Sequence, residues 1–234
     1  MSFTGTTGKI LRTIPIVLLA WASSALAEPH PILDQKSSLR PDVLELALEA
    51  YAQAESEGVV QRPVLTIVDY QLPSYEKRLW VINMERGTLL HEEWVAHGMG
   101  KPRGSGGTME EALSFSNQPG TLKSSLGLFL TAETYYGGHG YTLRLDGLED
   151  GVNDNARERL IVLHGADYVS EDRAEDRLVG RSWGCPAVRP DVSKQLIDTI
   201  KDGSVLWIYY PEEEWLARSE FLDGDESVSL VGGF

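Results

Sequence analysis

Between Val64 and Tyr210 the chain is a succession of short apolar runs, rich in β-branched and aromatic residues and divided by glycine-bearing turns. This pattern most narrows the folds open to it, because such residues suit a pleated, half-buried surface better than a helix. Val64–Tyr70, Arg78–Met84 and Thr88–Val95 read as strands, with Glu85-Arg86-Gly87 as the hairpin turn between the last two. Leu126–Tyr136 and Tyr141–Leu145 read as two more, joined by Gly137-Gly138-His139-Gly140. Leu160–Leu163 reads as a buried strand, and Val205–Tyr210 as an apolar one.

Helices are fewer. Arg40–Glu57 has Pro41 where a first helical residue belongs and Val43, Leu44, Ala47, Leu48 and Tyr51 at helical spacing, with Gly58 at its end. It is expected on the outside of the domain. Asp150–Arg159, with Asn153-Asp154-Asn155 inside it, reads as a short capped helix. Asp191–Ile200 reads as another, begun near Pro190 and stopped at Gly203. The expectation is a mainly β domain with a few peripheral helices. The long glycine-rich stretch His97–Lys123 lacks the strand-to-helix setting and Gly-Lys-Ser/Thr ending of a phosphate loop, and is expected to wall or cover a groove.

The first 27 residues have the make-up of a secretory signal peptide: Lys9 and Arg12, an apolar core from Ile14 to Ala22, and Ala25-Leu26-Ala27 before Glu28. That core is too short for a spanning helix. The expected organisation is therefore a signal peptide at 1–27, a linker and helix at 28–60, a compact domain at 61–211 and an acidic tail at 212–234. The protein is expected to be exported to the periplasm, with no stable membrane insertion after cleavage, and to be a monomer. Its net charge of −14 becomes more negative once Lys9 and Arg12 leave, which disfavours nucleic acid as a partner.

Candidate chemistry centres on Arg159–Arg189. The strand at Leu160–Leu163 delivers His164 and Gly165, and Gly180-Arg181-Ser182-Trp183-Gly184-Cys185-Pro186 then presents the only cysteine. A lone thiol rules out an intramolecular disulfide, and in an oxidising compartment it is a hazard unless it works. Cysteine and histidine together make a nucleophile and base: the imidazole takes the thiol proton and the thiolate attacks a carbonyl. The turn around Gly184 lets backbone N–H groups, that of Cys185 and with it that of Gly184, face an oxyanion. The alternative is a buried, inert cysteine in a binding protein. No cofactor is implied. The five histidines show no H-E-x-x-H pattern and one cysteine makes no thiolate zinc site, so no metal is expected. There is no G-x-S-x-G elbow either.

These residues resemble the L,D-transpeptidase catalytic-domain family of bacterial cell-wall enzymes, whose His-Gly and Ser-His-Gly-Cys signatures correspond to His164-Gly165 and Ser182-Trp183-Gly184-Cys185. The likeness is to a divergent branch carrying HGADYVS and GRSWGCPA, and extends to Lys123–Gly127, Glu133–Gly137 and Leu143–Leu148. It implies a β-sandwich or open barrel, a Cys185 acyl-enzyme with His164 as base and acid, and peptidoglycan stem peptides as substrate. The product is then a 3→3 crosslink or related attachment if an amine accepts the acyl group, or a trimmed stem or opened crosslink if water does. Trp183 stands where the main family has histidine and Ala187 where it has arginine. Arg189 is the candidate replacement for the latter. Ser182 and Trp183 are expected to line the pocket, and Tyr136, His139 and Arg181 to border the groove.

Overall fold

The computed structural model describes Met1 and residues 37–223. Residues 2–36, which hold the rest of the expected signal peptide and most of the expected linker, and residues 224–234 lie outside the described residues. The chain divides into Met1–His30 and Pro31–Phe234, and every described element belongs to the second unit.

Its first helix, α1 (Pro41–Ser56), has proline in its first turn, Asp42 near the positive helix start, and a stripe of Val43, Leu44, Ala47, Ala50 and Ala54 that is wholly buried. The helix packs this stripe into the core while Glu45, Ala52, Gln53 and Glu55 stay exposed, as expected of a helix on the outside of the domain. Beneath it lies β1 (Val64–Asp69), buried at all six positions. β2 (Leu79–Asn83) and β3 (Thr88–Glu93) extend the sheet on one side in antiparallel fashion. On the other side β1 runs parallel to β8 (Val205–Tyr209). β4 (Gly127–Gly137), β5 (Gly140–Gly147), β6 (Val162–Gly165) and β7 (Ala187–Val188) complete the order β3-β2-β1-β8-β4-β5-β6-β7.

The two ends of this eight-stranded sheet come back together. Past β3, Ala96 pairs with Ala187 of β7, and Gly98 bridges to Ser182. At the same seam the Arg189 guanidinium grips the Glu93 carboxylate with two bonds, 2.9 and 3.0 Å long, and lies over the Trp94 ring. The result is a nearly closed, mainly β barrel with short helices, the expected fold class.

The remaining helices are α2 (Glu171–Glu175), α3 (Pro190–Ile200) and α4 (Glu213–Leu216). Two expectations change. Asp150–Arg159 is a chain of turns and not a helix, because Asn153 points inward and bonds the backbone of Leu126, Leu128 and Glu149. The stretch after Pro211 is no mere surface tail as far as it is described: Trp215 and Leu216 are buried, and the Trp215 indole N–H donates to buried Glu149.

Candidate active site

The β-ladder brings the two expected reactive residues together. His164 lies in β6, flanked by Thr142 of β5 and Ala187 of β7, and Cys185 precedes that same Ala187 by two residues. Both line one cavity of about 170 Å3, with His139, Tyr168, Arg181, Ser182 and Trp183 around them.

His164 Nδ1 lies 2.9 Å from its own neighbour's carbonyl, Gly165 O. A carbonyl only accepts, so Nδ1 carries the proton and Nε2 keeps its lone pair. Burial holds the His164 pKa below the ordinary histidine value, and the adjacent His139 acts in the same direction against the Gly165 bond. Burial likewise pushes the Cys185 thiol up, opposed by the Val162 N–H and the Arg159 guanidinium. Both shifts favour the uncharged forms of the two groups that line this cavity. The thiol hydrogen has an acceptor in Leu160 O, 3.6 Å from Sγ. Leu160 reaches that position with φ 58°, a left-handed conformation that a leucine rarely takes.

The turn that carries the cysteine is built by two serines. Ser182 Oγ accepts the Gly184 N–H at 3.1 Å and donates to Cys185 O at 2.6 Å, closing the turn on itself. The Gly184 N–H, expected as an oxyanion donor, is thereby used inside the turn. Ser124, buried to 2% exposure, accepts the Gly98 N–H at 3.0 Å and donates to Gly184 O at 3.1 Å. In a trans peptide the carbonyl of one residue and the N–H of the next point in opposite directions. Anchoring Gly184 O on Ser124 therefore turns the Cys185 N–H away from that buried hydroxyl, and it has no partner among the described residues. One unspent donor on the cysteine's own backbone is what an oxyanion developing there would need. Only glycine fits at 184: its φ is 120°, and a Cβ would meet Lys123 O at 2.8 Å.

Behind the turn, Arg159 binds Ser116 O at 2.5 Å, Lys123 O at 2.7 Å and Ser125 Oγ, and sets its charge near the thiol. Segment 97–99 forms the other wall: Ser182 N–H donates to His97 O and Met99 N–H to Ser182 O. His97 itself is buried, with Nδ1 2.9 Å from Arg78 and Nε2 3.1 Å from Thr108 O.

The other expected site residues divide. His139, in the exposed β4–β5 turn, stacks on His164 with ring centroids 4.3 Å apart. Trp183 is 71% exposed at the cavity rim, and Arg181 lines the cavity while binding Gly107 O at 2.6 Å. Tyr136 packs on Tyr141, 5.2 Å between centroids, and is not among the cavity's lining residues. Arg189 is committed to Glu93 at the seam and does not line the cavity either. Tyr168, Ser124 and Arg159 were not singled out from the sequence as site residues. For Tyr168 and Ser124 the signal lay in the HGADYVS and Lys123–Gly127 matches, which marked the segments without revealing which side chain works; Arg159 lies outside both.

The chain belongs to the L,D-transpeptidase catalytic-domain family, whose model matches residues 35–209. No curated protein matches it. Among solved structures it is similar to an L,D-transpeptidase from Mycobacterium smegmatis, at 14% identity and a TM-score of 0.37, over 63% of this chain and 59% of that one. It is also similar to the helical cell shape determining protein Pgp2 from Campylobacter jejuni, at 12% identity and a TM-score of 0.41, over 78% and 62% respectively. The chain thus spans about three-fifths of the length of these structures.

Proposed function

We propose that this protein is a cysteine-dependent L,D-transpeptidase of the periplasm acting on peptidoglycan stem peptides. The observation that carries the reading is the pairing, in one cavity, of Cys185 with an imidazole whose Nδ1 is committed to Gly165 O. As Sγ attacks the carbonyl after the diamino acid of a tetrapeptide stem, its proton passes to His164 Nε2. The Cys185 N–H holds the oxyanion, and collapse expels D-alanine with the proton from His164, leaving an acyl-enzyme. An amine of a second stem then takes the acyl group and makes a crosslink; with water in its place the same residues act as a carboxypeptidase. Export follows from the leader at 1–27, and N-terminal sequencing of the exported protein should begin at Glu28.

The decisive test incubates purified protein, wild type and Cys185→Ala, with disaccharide-tetrapeptide muropeptides and reads products by mass spectrometry. Dimers that have lost one D-alanine, absent with the variant, are expected. Cysteine-dependent tripeptide without dimers moves the assignment to the hydrolase. With no cysteine-dependent product from tetrapeptides or crosslinked dimers, the enzyme reading fails and a binding protein takes its place.

A further inference from the structure

A second, larger cavity of about 500 Å3 abuts the cysteine pocket and shares two of its walls, His139 and Tyr168. Its other lining includes Gly138 and Tyr141 from the β4–β5 hairpin, Asp167 from the loop after β6, and Ser193 of α3. The two spaces differ in charge. The charged side chain of the cysteine pocket is Arg181; that of the neighbouring groove is Asp167.

Asp167 is exposed and its carboxylate has neither a hydrogen bond nor an ion pair among the described residues. Some acids on neighbouring elements are paired, Glu133 and Asp146 with Arg157 and Asp198 with Lys194 and Lys201, but Asp167 is the acid that lines this groove. The one free carboxylate of this groove thus stands in the loop that follows the base, on the far side of the His139–Tyr168 wall. We infer that this groove receives the amine co-substrate, with Asp167 holding its ammonium group, while the acyl donor occupies the Arg181 side. The inference rests on the acyl-transfer reading above and adds the site and charge of the second substrate.

The step balances as follows. The bound ammonium loses one proton to solvent, and the free amine attacks the thioester carbonyl of the Cys185 adduct. The C–N bond forms and the C–S bond breaks. The second amine proton passes to His164, which returns it to the departing Sγ. His139, stacked on His164 and lining both spaces, stands where the incoming amine changes from one to the other.

The test uses the full exported protein, a disaccharide-tetrapeptide as donor and Nα-acetyl-lysine as a soluble primary amine. Intact-mass measurement follows the Cys185 adduct, and product analysis gives the ratio of amide to free acid. Asp167→Asn should raise KM for the amine about fivefold, the scale of an exposed ion pair, and lower the amide-to-acid ratio while the adduct forms at the wild-type rate. Asp167→Lys should raise KM further, and Asp167→Glu should restore it. An unchanged KM for the amine with Asp167→Asn overturns the groove assignment and leaves the acyl-enzyme intact. Slower adduct formation in that variant also overturns it, because Asp167 then serves the donor. Failure of the wild type to form any adduct removes the acyl-transfer reading itself, and the inference with it.

Discussion

Ser124 exerts its effect through a single peptide plane. Its hydroxyl is the side-chain partner of Gly184 O, and that bond decides which way the Cys185 N–H points. Ser124→Ala should therefore lower kcat by about tenfold, a fraction of the ~100-fold seen when an oxyanion donor itself is removed, with KM for the donor little changed. Ser124→Thr keeps the hydroxyl and should recover most of the loss; equal loss in both variants would reduce Ser124 to a packing role. His164 gives a second prediction. Its pKa is depressed and the proposed base must be neutral to act, so the acid limb of kcat/KM should fall below the ordinary histidine value of 6.5. A limb above that value would mean that the imidazole pKa is raised in the folded protein, against the effect of its burial. From the sequence, His164 and Cys185 were legible because HG and SWGC are local strings. Ser124 and Arg159 were not, since a serine or arginine shows its role only when folding sets it against a turn far along the chain.

The elements were readable where periodicity and composition agreed. α1 and α3 start at prolines and carry apolar stripes, and the β-branched runs became strands within a residue or two. Sequence reading failed at Asp150–Arg159, where polar residues resembled a cap but satisfy the backbone of a neighbouring strand instead. It also placed Leu160 inside a strand, whereas the left-handed turn there ends the preceding turns and leaves its side chain exposed. Closure of the sheet was equally hidden, because β7 has only two residues. Arg189 shows what was missed: it secures the seam through Glu93, which is 7% exposed, and that bond leaves it little freedom to reach a substrate. Arg189→Ala strands a largely buried carboxylate and should destabilise the fold by about 2 kcal/mol, somewhat less than the loss of a fully buried pair. Denaturant unfolding of Arg189→Ala, Glu93→Gln and the double variant will measure this. A double variant as unstable as the sum of the singles would show that the pair does not couple.

For the molecule as a whole, acid is the expected weakness. His97 is buried beside the Arg78 guanidinium, and burial first, then that charge, pull its pKa down to about 3. In the unfolded chain it titrates near 6.5, so between these values the unfolded state binds a proton that the folded state refuses. Stability should fall with decreasing pH across that window, by up to about 1.4 kcal/mol per pH unit from this one group. Chemical denaturation of wild type and His97→Gln at several pH values should show a shallower slope in the variant; parallel slopes would assign the acid sensitivity elsewhere.

The seam has one more consequence, for the order in which the molecule comes apart. The cysteine turn is one side of the zip that closes the barrel: the Ala96, Met99 and Ser182 amides all bond across it, and few other backbone bonds hold those edges. Sub-global opening begins where backbone pairing is sparse. Those amides should exchange with deuterium well before the β1–β8 ladder, and catalysis should fade at denaturant concentrations that leave the circular dichroism of the barrel unchanged.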